Sequence, residues 1–360
     1  MTHEDREDPV LLHTEGRVRH ITLNRPGALN ALNHTMAVRI DAALADAELD
    51  DSVAAVLITG AGERGLCAGG DIRSIYEDAR AGGGTSMDFW RDEYRLNARI
   101  ARFPKPYVAI MDGIVMGGGV GVSAHGDVRV VTERSRVAMP ETGIGFVPDV
   151  GGTYLLGAAP GELGTHLALT AEAVGAGDAL LCGLADHFVP SQRLAELTAD
   201  LAGCGTAAEI EQTVRRYASP APDGELAAHR EWIDSCYGAD SVEEIVDRLD
   251  SSGVPAAKQA AETILTKSPT ALKVTLSALR RARGLDSLEA VLDQEYRTSC
   301  TAFTRPDLVE GVRAQIIDKD RDPQWSPAAL AEVTEADVAL YFASLGDREL
   351  GLAAAPSMTA

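Results

Sequence analysis

Positive charge is what this chain is shortest of. Against 54 aspartates and glutamates stand 33 lysines and arginines, a formal net charge of −21 over 360 residues. That imbalance excludes a basic surface for nucleic acid or anionic lipid. A phosphate-bearing small ligand remains compatible, held in a locally basic pocket and captured against the overall field. Cysteine is scarce too: five residues (Cys67, Cys182, Cys204, Cys236, Cys300), odd in number, widely spread and without a CxxC pair. Neither a disulfide framework nor a cysteine zinc site follows, and the usage fits a reducing compartment. The eight histidines are scattered, with no HxxxH or HExxH spacing, so no metal site is expected. Long apolar runs are missing as well. The richest stretch, residues 107–124, is broken by Asp112 and by glycines, which makes it a poor membrane span. The first residues, MTHEDREDPV, are acidic and polar, unlike a secretory or organelle-import peptide. These absences together lead us to expect a cytoplasmic protein with no membrane and no nucleic-acid partner.

What is present is ordinary globular composition, 45% hydrophobic and 24% charged. The first half alternates between strand-like and helix-like segments. Val18–Leu23, Val53–Thr59, Pro106–Met111 and Val128–Thr132 read as strands. Met36, Ile40, Ala43, Leu44 and Ala47 recur at helical spacing, and the glycine run 117–119 opens another helix. Strand, loop and helix in this order imply an α/β layer architecture with parallel pairing. After about residue 190 helix dominates, interrupted at Ser219–Gly224. Asp286 to Glu289 resembles a capping box that starts a helix with Leu288, Val291, Leu292 and Tyr296 facing inward. We expect a core over 10–200, a mainly helical region over 201–346, and a tail over 347–360.

Three segments carry possible chemistry. MPETGIGFVPDVGG at 139–152 places Glu141 and Asp149 among apolar residues, glycine and proline. Carboxylates in such surroundings either cap helices or have pKa values displaced enough for acid–base or nucleophilic work. Leu66–Ile72 (LCAGGDI) reads as a strand-to-helix turn in which small residues let an oxygen approach the backbone, with Asp71 near the start of the next helix. Met116–Gly121 (MGGGVG) is no phosphate loop, because Gly-Lys-Ser/Thr does not follow. Two glycine turns that can each give one backbone N–H, followed about twenty residues later by acids, make the parts list of an acyl-transfer or enolate site.

These segments resemble the crotonase (enoyl-CoA hydratase/isomerase) superfamily. The resemblance rests on Asn24-Arg25-Pro26 with Leu29–Leu32, CAGGD at 67–71, Lys105–Ala109, Gly113 with GGG at 117–119, and MPETGIG with PDVGG. Arg91–Asn97, MGGGVGVSAHG at 116–126, Ser268–Thr270, Glu295–Arg297, Glu310–Ala314 and Ile317–Asp320 before Pro323-x-Trp325 narrow it to the 3-hydroxyisobutyryl-CoA hydrolase branch. It spans roughly residues 10–346.

The resemblance implies a spiral of ββα repeats with a helical C-terminal region. The implied activity is hydrolysis of a short branched 3-hydroxyacyl-CoA thioester, as in valine degradation. Coenzyme A would then be part of the substrate, with no separate cofactor, and the protein a homo-oligomer, as members often are. It assigns the oxyanion donors to the N–H groups of Gly70 and Gly118, and the acids to Glu141 and Asp149. Glu93 becomes a substrate contact, and Ala68, Asp71 and Ile72 lie where similar proteins hold the CoA adenine. Two departures matter. Hydratases of the family carry a second glutamate at the position of Gly121, so hydrolysis or isomerisation is favoured over hydration. Many relatives have a lysine at Gly27, so another cation must meet the CoA phosphates. His125 and Cys67 are read as structural, and Glu310, Arg313, Asp318 and Lys319 as ion pairs.

Overall fold

The computed structural model describes residues 8–353. They gather into two compact units that interleave along the chain. The first takes the residues through Gly70, Arg95–Val137 and Val174–Gly224; the second takes Asp71–Tyr94, Ala138–Ala173 and the described residues from Glu225 on. This differs from a single boundary at 200. Residues 71–94 and 138–173 group with the segments after Glu225, because shared burial decides which segments form a core, whatever their order along the chain.

Eight strands are described: β1 (Val10–Glu15), β2 (Val18–Leu23), β3 (Ala55–Gly60), β4 (Tyr107–Met111), β5 (Ile114–Met116), β6 (Val128–Val131), β7 (Arg136–Ala138) and β8 (His187–Phe188). Six form one sheet of order β1-β2-β3-β4-β6-β8, while β5 pairs with β7. The expected parallel pairing holds from β2 to β8, with Leu57 beside Val108 and Val130 beside His187. β1 is the exception, antiparallel to β2. Five of its six residues are exposed, so it shows none of the alternation by which a half-buried strand is read.

One face of the sheet packs Val18, Leu57, Val108 and Val130 against Leu197, Leu201, Ile210 and Val214 of the following helices. α1 (His34–Leu49) packs on β1 and β2, and buries Met36, Ile40, Ala43, Leu44 and Ala47 at the spacing read from sequence. Asn33 caps it, accepting from the N–H of Met36. Each large apolar side chain so buried is worth about 1.5–3 kcal/mol.

The second unit is helical. It holds α2 (Ile72–Ala81), the part of α3 (Thr85–Ala101) that runs to Tyr94, and every helix from Leu226 on. The helix Leu288–Phe303 buries Leu288, Val291, Leu292 and Tyr296 as expected. Its cap is Ser287, however, which accepts from the N–H of Ala290 at 3.2 Å; the cap thus lies one residue on, and Ala290 at the third helical position has no side-chain acceptor to close a box. Glu162 binds both Arg280 (2.7 Å) and Arg283 (2.8 Å), tying Glu162 to the helix Pro269–Ala282 and the turn after it. Residues 349–353 are anchored, unlike a free tail from 347. Glu349 accepts from Arg297, and the N–H groups of Leu352 and Ala353 donate to Asp293 at 2.8 and 3.0 Å. Residues 354–360 lie outside the described residues. Among the described residues no helix is long and apolar enough to cross a membrane.

Candidate active site

In the first unit the two glycine turns meet. The N–H of Cys67 donates to Ile114 and the N–H of Met116 donates to the carbonyl of Cys67, both at 3.0 Å, so the 65–70 segment runs beside β5. The approach is too close for side chains. A Cβ on Gly119 would fall 2.4 Å from the Cys67 carbonyl oxygen, and one on Gly69 3.3 Å from that of Met116. Gly69 and Gly117 also hold φ of +112° and +48°, which L side chains rarely adopt. The place where Gly69 would carry a Cβ is 3.8 Å from the nitrogen of Gly118, so residues 69–70 and 118 are neighbours despite their separation in sequence. Gly118 begins α4 (Gly118–Gly121), and the first turn of a helix offers its N–H no internal acceptor. Neither Gly70 nor Gly118 donates its N–H to another group among the described residues. α4 has only four residues, shorter than the helix expected, because three of them are glycines, which oppose helix propagation.

In the second unit four carboxyl groups are buried together with one tyrosine. Glu93 and Tyr94 come from α3, Glu141 opens the 3₁₀ turn Glu141–Ile144, Asp149 precedes α5 (Gly152–Ala158), and Glu295 lies on the helix Leu288–Phe303. Glu93, Glu141 and Asp149 are 2%, 5% and 6% exposed, and Glu295 is fully buried. Tyr94 donates to Asp149 Oδ2 at 2.7 Å and contacts Ser299 Oγ at the same distance. Glu295 accepts from the N–H groups of Gly151 and Thr153 and from the Thr153 hydroxyl. By contrast, Oε1 of Glu93 and Oε2 of Glu141 are buried with no hydrogen-bond partner among the described residues.

Such a cluster cannot carry all its charges at once. Burial, then the charge of Asp149, holds the Glu93 and Glu141 carboxyls well above the usual range. Burial also raises Asp149 to about 7, against the opposing pull of the Tyr94 hydrogen bond. It raises Glu295 to about 8 despite three donors. The arrangement can therefore hold and release protons near neutrality, and an ionised Glu141 would be a strong base with a free oxygen.

The residues named from sequence thus fall into two groups. Gly69, the chain neighbour of Gly70, lies against Gly118 in the first unit, and Glu141, Asp149 and Glu93 cluster in the second. Ala68, Asp71 and Ile72 have structural duties here: the N–H of Ala68 donates to Leu29, Asp71 caps α2, and Ile72 is that helix's first residue. At Gly27, where a lysine was missed, Arg64 donates to the carbonyls of Pro26 and Gly27, so a cation does stand at this turn. Cys67 is buried. Arg313 joins Glu310 and Asp318 as expected and takes Asp320 besides. Sequence reasoning missed Tyr94, Glu295 and Ser299. Glu295 and Ser299 sit four apart on one helical face, and two buried polar groups at that spacing are the signal that was available.

A sequence model of the family described as enoyl-CoA hydratase/isomerase matches residues 18–342. The chain is 43% identical over 348 residues to the mitochondrial 3-hydroxyisobutyryl-CoA hydrolase of Rattus norvegicus, covering 95% of this chain and 90% of that one. Among solved structures, a carnitinyl-CoA dehydratase from Mycobacterium thermoresistibile is 54% identical with a TM-score of 0.92, covering 96% of this chain and 98% of that one. An enoyl-CoA hydratase from Rhodobacter sphaeroides is 42% identical with a TM-score of 0.89, covering 95% and 99%. The fold shared with them is the one that the glycine and acid motifs implied.

Proposed function

The chain belongs to the enoyl-CoA hydratase/isomerase family, and from that footing we propose that it hydrolyses the thioester of 3-hydroxyisobutyryl-CoA, releasing 3-hydroxyisobutyrate and coenzyme A. The observation that carries the reading is the state of Glu141: a buried carboxyl with a raised pKa and an oxygen that no other group among the described residues engages. Its support from outside is the likeness to the rat hydrolase along nearly the whole chain.

Thioester hydrolysis needs donors for the oxyanion that forms and a base or nucleophile for the carbonyl carbon. The first unit offers the N–H groups of Gly70 and Gly118; losing one such donor costs on the order of 10²–10³ in rate. The second offers Glu141, attacking the carbon itself or through a water whose proton it takes, with Asp149 ordering the 3-hydroxyl or that water. Glu93 contacts substrate in this reading. Arg64 replaces the missing lysine toward the CoA phosphates, and the stretch Ala68, Asp71, Ile72 meets the adenine. No cofactor is called for, since coenzyme A arrives with the substrate. A cytoplasmic setting is part of the proposal, supported by five free, buried cysteines.

Hydration or dehydration is the competing reading, favoured by the names of the two solved structures. Gly121 weighs against it, since a water held between two glutamates needs a carboxylate there. Release of free CoA measured across 3-hydroxyisobutyryl-, 3-hydroxypropionyl- and crotonyl-CoA, with hydration of crotonyl-CoA followed in parallel, tests both. We expect thioester cleavage of the two hydroxyacyl substrates. Hydration of crotonyl-CoA at a rate matching cleavage would overturn the proposal.

A further inference from the structure

The hairpin of β1 and β2 carries three groups that the proposed reaction does not use. The strands pair with His13 opposite His20 and Glu15 opposite Val18. Side chains alternate faces along a strand and face each other across a pair, so His13, Glu15 and His20 share one face. The imidazole rings stack with centroids 4.3 Å apart. Glu15 Oε2 lies 3.9 Å from His20 Nε2, and one ligand atom from each residue lies within 4.8 Å of the others.

A second observation points to a ligand. The His20 side chain is only 7% exposed, and its Nε2 has no hydrogen-bond partner among the described residues. Leaving such an atom unsatisfied is unfavourable unless something occupies it. The neighbouring cations are turned elsewhere. Arg19 is on the opposite face, donating to Thr14, and Arg17 donates to the carbonyls of Asp51 and Ser52.

We infer that His13, Glu15 and His20 form a site for a divalent transition-metal ion of the zinc type. Two imidazoles and one carboxylate are a donor set that such ions accept, with a fourth position left to water. His20 is the fixed ligand, and the exposed His13 and Glu15 turn toward it as the ion enters. His20 would bind the ion through the lone pair of its neutral imidazole. The ion would pin the edge strand β1 to β2. Binding to the folded state alone then raises stability. A search for helical histidine spacing cannot see this site, because strand register, not a helix, brings the ligands together.

Zinc titration calorimetry on the full chain, purified without an affinity tag and stripped with chelator, tests the inference. We expect one zinc per chain at micromolar affinity, a higher thermal midpoint with zinc, and no comparable uptake of magnesium. His13→Gln and Glu15→Gln, both at exposed positions, should leave thioesterase activity intact while each weakens zinc binding about tenfold or more. His20→Asn should abolish it. Binding only at millimolar zinc, binding unchanged in both exposed variants, or magnesium bound as well as zinc would each overturn the assignment.

Discussion

The hydroxyl of Tyr94 stands between Asp149 and Ser299, 2.7 Å from each. A phenol has one proton, and Asp149 accepts it, so Ser299 must donate to the phenolic oxygen. The result is a buried chain of donors ending on one carboxyl, which offsets part of the burial that drives the Asp149 pKa upward.

Tyr94→Phe should therefore move Asp149 still higher. If ionised Asp149 supports hydrolysis, the rising limb of kcat against pH shifts to more alkaline values, with kcat reduced more than KM is raised. Stability should fall by about 1–3 kcal/mol, the cost of a buried acceptor left unpaired. An unchanged pH profile in the variant would separate Tyr94 from the chemistry.

Glu141→Gln should abolish release of free CoA, by a factor of about 10² or more, without lowering the thermal midpoint. The fold has little to lose, because Glu141 Oε2 is buried and holds no partner among the described residues. Replacing it with an amide also removes a carboxyl whose ionisation is opposed by burial and by Asp149. Near-normal CoA release by this variant would remove Glu141 from the mechanism.

Gly119→Ala tests the oxyanion donors without touching an acid. The new methyl would fall 2.4 Å from the Cys67 carbonyl oxygen, so the segment that carries Gly70 must move away from α4. A displaced donor should lower kcat by about 10²–10³ while substrate affinity changes less. Activity and thermal midpoint both like wild type would show that the spacing of the two turns is immaterial.

How much of this was visible beforehand depends on the distance over which each feature is determined. α1 and β2 were legible because their burial repeats every few residues, as Met36, Ile40 and Leu44 show. The glycine turns were legible because their compositions permit little else. Tyr94 and Glu295 were not, since the first reaches Asp149 across 55 residues and the second Gly151 across 144. The stack of His13 on His20 was hidden too, because the mostly exposed β1 gives no sign of the strand register that pairs them.

Stability should depend on pH with a definite sign. Asp149 titrates near 7 in the folded chain against an ordinary 3.8, so the folded state keeps a proton that the unfolded chain releases. The contribution of Asp149 to stability is therefore greatest below about pH 4 and is lost progressively as pH rises to about 7. Asp149→Asn should flatten that decline in denaturant midpoints compared across the range. A difference in midpoint between Asp149→Asn and wild type that does not vary with pH would contradict the assignment.

Glu295 should act through the turn that aims Asp149, and on Glu141 through its charge. Val150 and Gly151 both hold left-handed backbone, φ +53° and +79°, a conformation unusual for valine. Glu295 ties this turn down by accepting from Gly151 and Thr153 at 2.6 and 2.8 Å. Glu295→Ala should therefore lower both stability and kcat, and Glu295→Gln, which keeps one acceptor, should fall between it and the wild type. The charge supplies a sharper test. Glu295 adds to the groups that raise the Glu141 pKa, so Glu295→Gln should shift the rising limb of the pH profile toward acid. That is opposite to the alkaline shift expected for Tyr94→Phe. Two variants in one cluster moving the limb in opposite directions would be hard to produce by loosened packing alone. A limb that does not move would mean that Glu295 serves the turn and leaves the ionisation of Glu141 untouched.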